Sequence, residues 1–213
     1  MVQIQAHRKH REARAGARAL QRRLAILRAA GRAFRCHGFA QTGMREIARE
    51  AKLSSGNLYY YFRGKDELLA FCQDHALDRL LAEVKAVRAS ERSAPSRLRR
   101  LIRSQVHCML DDLAGAAAHL EVDALPPRIR GRVIRKRQRY ERALRRIIQE
   151  GVRERALETA DPALAARAIL GAVNWSARWF NPEGKLTPSE IGDRFAELLV
   201  RGLSPHPNGK GKS

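Results

Sequence analysis

Apolar residues recur every three or four positions along almost the whole chain, the spacing of helices that bury one face. No segment alternates apolar and polar residues over six or more positions with β-branched content, so no strand is predicted. Alanine, leucine, arginine and glutamate dominate, and all favour helix. The first stripe is Leu24, Leu27, Ala30 and Phe34, within a helix over 21–37 that Gly38 ends. A short helix over 44–51 turns Met44, Ile47, Ala48 and Ala51 inward. A second short helix opens at Ser54, whose hydroxyl can cap its first turn. Only Lys52 and Leu53 separate the two, which is a helix-turn-helix spacing.

A long helix over 65–88 follows, with Asp66 and Glu67 in its first turn and an inward row from Leu68 through Cys72, Leu80 and Val84 to Val87. The stretch ASERSAPS ends it. The next helix covers 96–112, with Leu98, Leu101, Ile102, Val106 and Met109 inward, and a shorter one is expected over 113–125. Pro126-Pro127 opens a basic helix through about 156. Asp161-Pro162 opens another through Trp179, and the capping box Thr187-Pro188-Ser189-Glu190 opens the last. The expectation is an all-α fold of about nine helices: three in a small head, one linking and five in a larger body. The divisions are a basic extension over 1–20, a helix-turn-helix domain over 21–64, a helical body over 65–203 and a disordered tail over 204–213.

Charge changes the picture. The 213 residues carry a formal net charge of +20, which draws polyanions before any specific contact forms. No run reaches the roughly 18 apolar residues of a membrane span, and MVQIQAHRKHREAR holds no signal-like apolar core. A cytoplasmic chain with no membrane partner is expected. Cys36, Cys72 and Cys108 are odd in number and widely spaced, so they are read as buried small hydrophobes in a reducing compartment. A zinc site drawn from them and His37, His75 and His107 is the weaker alternative. No GxSxG, HExxH, GxGxxG or P-loop pattern occurs, and adjacent Asp111-Asp112 diverge by about 100° on a helix. No catalytic residue, metal site or cofactor is expected.

The run SSGNLYYYFRGK, 54–65, carries the strongest chemistry. Leu58 and Phe62 are four apart and share an inward face. Tyr59, Tyr60 and Tyr61 fan over the remaining arc, so at least one hydroxyl must meet solvent or a partner. Ser55, Asn57 and Tyr60 could meet base edges if this helix enters a major groove, with Asn57 suited to adenine.

The span GFAQTGMREIAREAKLSSGNLYYYFRGKDELL, 38–69, resembles the head of TetR-family transcriptional regulators. The resemblance rests on the Gly-aromatic turn, the Thr before the first short helix, the Ile-Ala core, the Ser-x-Gly-x-Leu-Tyr-x-x-Phe run and the Lys-x-x-Leu-Leu start of the fourth helix. It implies a homodimer that binds operator DNA through its heads and a small molecule through its bodies. It further implies that Thr42 and Lys65 hold phosphates and that Arg45 contacts the groove or backbone. Ser54, Ser55, Asn57 and Tyr60 would form the recognition surface, with Tyr59 near the backbone. Gly43 and Tyr61 depart from the Ser or Thr and the His often found at their positions.

In the body, the resemblance implies a four-helix dimer interface. Leu164, Ala168 and Gly171 would supply it from one helix, and Ile191, Phe195, Leu198 and Leu199 from the last. NWSARWFNPEGKL, 174–186, sets Trp175 and Trp179 on one helical face around Arg178, with Asn174 a turn earlier. The segment reads either as a packed tryptophan stripe or as a pocket wall. His107, Met109 and Tyr140 could join such a cavity. ALPPRIRGRVIRKRQRYE and NWSARWFNPEGKLTPSEIGDRF are similar to TetR-like repressors of lipid and steroid catabolism that respond to coenzyme A thioesters. That likeness implies an acyl-CoA effector, with Arg130, Arg137 and Arg145 facing its negative charge or simply facing water. The alternatives are a repressor or activator of efflux or stress genes that senses a non-CoA apolar or aromatic compound, and a non-specific DNA-packing protein.

Overall fold

The computed structural model describes residues 2–38, 40–110 and 122–205. All regular structure among them is helical: α1 (Val2–His37), α2 (Met44–Glu50), α3 (Ser55–Tyr61), α4 (Lys65–Ser90), α5 (Ala94–Leu110), α6 (Pro127–Arg153), α7 (Pro162–Trp179) and α8 (Pro188–Arg201), with a short 3₁₀ turn at Val122–Ala124. None of these helices is long and apolar enough to cross a membrane. The chain divides into two compact units, and the boundary falls inside α4, after Leu69.

In the first unit the segment expected as a separate basic extension over 1–20 forms, from Val2 onward, the opening half of α1. No proline lies between Val2 and His37, and Gly16 and Gly31, each costing about 1 kcal/mol of helix propensity, do not end the helix. Gly38 then stops it at φ +77°, where its N–H donates to the Phe34 carbonyl at 2.8 Å. Ile26, Leu27, Ala30 and Phe34 of α1 form a core with Ile47, Ala48, Leu58, Phe62, Leu68 and Leu69. The unit extends past the expected limit at 64. The first turn of α4 is tied back when Glu67 accepts from the Arg63 N–H at 2.8 Å and pairs with Arg23 at 3.6 Å.

The second unit packs α5 between α7 and α8, with α6 alongside. Its core runs from Ala76, Leu80 and Val84 of α4 through Leu98, Leu101 and Met109 of α5 to Leu144, Ile147, Ile169, Val173 and Val200. Two glycines mark close approaches. A Cβ at Gly192 would lie 3.5 Å from the Arg103 Cα, so α8 and α5 nearly touch there. One at Gly151 would lie 2.6 Å from Leu157 Cδ1 and 2.9 Å from Ala94 Cβ. The α5 helix begins at Ala94, two residues before the expected start, and Ser93 caps it by accepting from the Ser96 N–H at 3.3 Å. The expected ends of α4 and α6 also shift by two or three residues. Ser204, expected in the disordered tail, is held to the end of α8 through the Arg201 and Val200 carbonyls. The Asp111-Asp112 pair, most of the helix expected over 113–125 and the tail from 206 onward lie outside the described residues.

Candidate nucleic-acid interface and effector-binding body

The tight link between α2 and α3 builds the head. Lys52 takes the left-handed conformation, φ +55°, and lets Leu53 N–H reach the Ala48 carbonyl at 2.9 Å. Ser54 then caps α3, accepting from the Asn57 N–H at 3.2 Å. Its hydroxyl has this local role, although Ser54 itself is exposed. Leu58 and Phe62 are fully buried, and the Arg23 guanidinium lies 4.6 Å from the Phe62 ring centre. The opposite face of α3 presents Ser55, Asn57, Tyr59 and Tyr60 to solvent. Tyr60 is 83% exposed, and its ring meets that of half-buried Tyr61 edge to face at 5.2 Å. Arg45 is exposed on α2, whereas Lys65 is half-buried with its ammonium 5.9 Å from the Phe34 ring centre.

Thr42 differs from its expected role. It is 1% exposed, and its hydroxyl donates to the Gly38 and Ala33 carbonyls at 2.7 and 3.2 Å. The side chain therefore closes the end of α1 instead of facing a phosphate. Gly43 has no side chain to cap α2, so only the reverse arm of a capping box forms: Glu46 accepts from the Gly43 N–H at 3.0 Å. Glu46's own N–H and then that of Gly43 hold its carboxyl below the usual carboxylate range.

Within the body, polar side chains sit among apolar ones along α4, α5 and α6. Gln73 is fully buried, and its carbonyl accepts from Arg137 at 3.2 Å. Cys108 donates weakly to the Ala76 carbonyl at 3.9 Å. Tyr140 lies in the same cluster as Cys108 and Met109. Burial, then the neighbouring Cys108 and Glu83, push its phenol far above the ordinary value, so it stays neutral. Gln105 donates to Asn174 at 3.0 Å. Among the described residues, the Gln73 amide nitrogen, the Gln105 amide oxygen and the Tyr140 hydroxyl are buried with no hydrogen-bond partner. Such atoms carry a cost of about 1–3 kcal/mol each until something pairs with them. Sequence reading named Tyr140 but missed Gln73 and Gln105. The available signal was a polar residue on an apolar stripe: Leu69-Gln73-Leu77 and Leu101-Gln105-Met109 are each spaced four apart.

The tryptophan segment does not join this buried seam. Trp175 is 65% exposed, and Arg178 is exposed beside it. Trp179 is partly exposed and meets the Phe195 ring at 6.3 Å. Asn174 is linked inward through Gln105, Met109 is wholly buried and His107 is half-buried. Trp175 instead continues an outward row with Leu164, Ala168 and Gly171, all exposed at spacings of four, three and four. Leu198 of α8 is exposed as well, and Phe195 and Leu199 are half-buried. Ile191, expected in the dimer interface, is 3% exposed and belongs to the body core facing the other way. Helix α7 therefore has two apolar faces, a buried one formed by Ala166, Ile169 and Val173 and an open one. Cys72 and Cys108 are buried as expected, but Cys36 is exposed near the end of α1.

Residues 26–71 match the model of bacterial regulatory proteins of the tetR family, and residues 91–203 match that of the tetracyclin repressor-like C-terminal domain. This chain belongs to the TetR family. It is thus a dimeric, ligand-responsive DNA-binding regulator, in a class that regulates transcription and does not catalyse. The HTH-type transcriptional repressor KstR2 of Mycobacterium tuberculosis is 26% identical over 186 residues, covering 86% of this chain and 93% of that protein. Among solved structures, the TetR-family regulator PfmR of Thermus thermophilus superposes with a TM-score of 0.75 at 29% identity, over 84% of this chain and 99% of that one. AibR, solved with isovaleryl coenzyme A and operator DNA, shares the fold at a TM-score of 0.68 and 24% identity, over 84% and 98%.

Proposed function

We propose that this TetR-family regulator is a repressor that binds palindromic operator DNA as a homodimer and is released by an acyl-CoA or related CoA thioester. The observation that carries the effector reading is the buried seam of α4, α5 and α6. Its Gln73, Gln105 and Tyr140 atoms lack partners among the described residues and suit the carbonyl and amide groups of a thioester threaded between apolar side chains. The CoA complex of AibR supports the same class of effector, and the name of KstR2 supports repression. Operator contact falls to Ser55, Asn57, Tyr59 and Tyr60 of α3, with Arg45 and Lys65 at the phosphates. The exposed row Leu164-Ala168-Gly171-Trp175 and Leu198 covers the same row of a second copy. Release follows if the effector prefers a body conformation that the DNA-bound dimer does not take, and by no more than that preference.

The test is binding to DNA from upstream of the gene at fixed salt, with and without a panel of CoA thioesters. One thioester should weaken a sequence-specific complex. Specific binding that survives the whole panel would remove the thioester from the reading and leave a DNA-binding regulator with another apolar effector.

A further inference from the structure

In the second unit, α4 and α6 enclose a groove of about 390 Å³. Leu81, Val84 and Ala143 form its floor, and Lys85, Arg88, Arg139, Arg142 and Arg146 form its walls. The two rows arise from helical spacing. Lys85 and Arg88 are three apart on α4, and Arg139, Arg142 and Arg146 follow at three and four on α6.

Five cations line this one concavity, and no carboxylate is among the residues that line it. Several arginines elsewhere in the body are matched: Arg97 with Glu150, Arg100 with Glu83 and Glu91, Arg103 with Asp193, and Arg167 with Glu141. In the groove, Arg88 alone has an acid, shared with Arg97 at Glu150. Lys85, Arg139, Arg142 and Arg146 have no ion pair among the described residues. Four cations held around one apolar floor repel each other, and a multiply charged anion relieves that repulsion. Guanidinium planes also stack on flat rings.

We propose that this groove binds the phosphates of a nucleotide-sized ligand, with its base against Leu81, Val84 and Ala143. The volume suits a small molecule and the walls are close and paired, whereas a DNA backbone calls for an extended basic track. The source is either a free purine nucleotide or the adenosine phosphate end of a CoA ester. Only the second depends on the effector class proposed above.

Calorimetry on the full-length protein at fixed salt tests it, with CoA, adenosine 3′,5′-bisphosphate, ADP, tripolyphosphate and adenosine as probes. The phosphorylated adenosines should bind and adenosine should not. Arg142→Glu with Arg146→Glu should weaken them about tenfold or more, and the Lys,Lys pair at the same positions should restore part of the loss. Circular dichroism melting should be unchanged, since all these side chains are exposed. CoA and the bisphosphate binding better than ADP would identify the coenzyme end, and equal binding would identify a free nucleotide. Failure of every phosphate probe to bind the wild type, or equal binding by the charge-reversed protein, overturns the proposal. Tripolyphosphate matching ADP overturns the role of the floor. If the reversal weakens only binding to random-sequence DNA, the groove belongs to DNA. A thioester that releases operator equally well from the charge-reversed protein leaves the effector reading standing and overturns the coenzyme end as the groove's occupant.

Discussion

Tyr60 and Phe62 are two residues apart and have opposite physical roles. Phe62 is fully buried, so Phe62→Ala should cost about 3–5 kcal/mol of head stability. Tyr60 is mostly exposed, so Tyr60→Ala should leave stability within about 0.5 kcal/mol and lower operator affinity. Melting and operator titration of both variants separate the roles, and a Tyr60→Ala protein with unchanged operator affinity would remove Tyr60 from the recognition surface. Gly151 gives a second single-residue test. Its missing Cβ would sit inside contact distance of buried Leu157 and of the Ala94 Cβ, which no side-chain rotation moves away. Gly151→Ala should therefore destabilise by about 1–3 kcal/mol, read by thermal or denaturant unfolding. Sequence reading gave Gly151 no role, because Ala94 lies far off in α5 and the turn that brings Leu157 back follows the end of α6.

At the scale of an element, the helices are held at their starts by short-range bonds that the chain writes plainly. Asp161 accepts from the Ala163 and Leu164 N–H groups at 2.8 and 3.0 Å, and Thr187 and Glu190 form a reciprocal box. The Leu164 amide and then the Ala163 amide hold the Asp161 carboxyl below its ordinary value. A depressed carboxyl contributes stability above its unfolded pKa of 3.8 and loses that contribution as pH falls through its lower folded value. Asp161→Ala should thus melt lower than wild type from neutral pH down to about pH 5. The gap should close in more acid solution. A gap that persists unchanged at pH 3 would assign the effect to packing instead of the charged cap.

For the whole molecule, the open apolar row on α7 and α8 is the feature a single copy leaves unexplained. Leu164 and Leu198 are each more than 60% exposed. Leu164→Glu with Leu198→Glu should give a monomer by light scattering, with the helical signal and melting of the isolated body retained. Operator affinity should fall steeply, because one head reads only one half-site. A variant that remains a dimer would place the interface elsewhere.

Local information decided most of this protein. Helix type, the caps at Ser54, Asp161 and Thr187, the α2–α3 turn and the inward faces of Leu58 and Phe62 follow from nearest-neighbour chemistry. That chemistry is complete within one or two helical turns. The same locality makes the head legible, since the residues proposed to read base edges, Ser55, Asn57 and Tyr60, lie on one short helix. The body was less legible because facing there depends on which helices pack together. Trp175 and Trp179 share a spacing that suits a core, a pocket wall or an open face, and only packing turned Trp175 outward and Ile191 inward. Likewise, an arginine at helical spacing reads as solvated until its neighbours are known. Only the tertiary structure set Arg139, Arg142 and Arg146 against Lys85 with no carboxylate between them, and only it left Gln73 and Tyr140 buried, because both facts concern residues far apart in the chain.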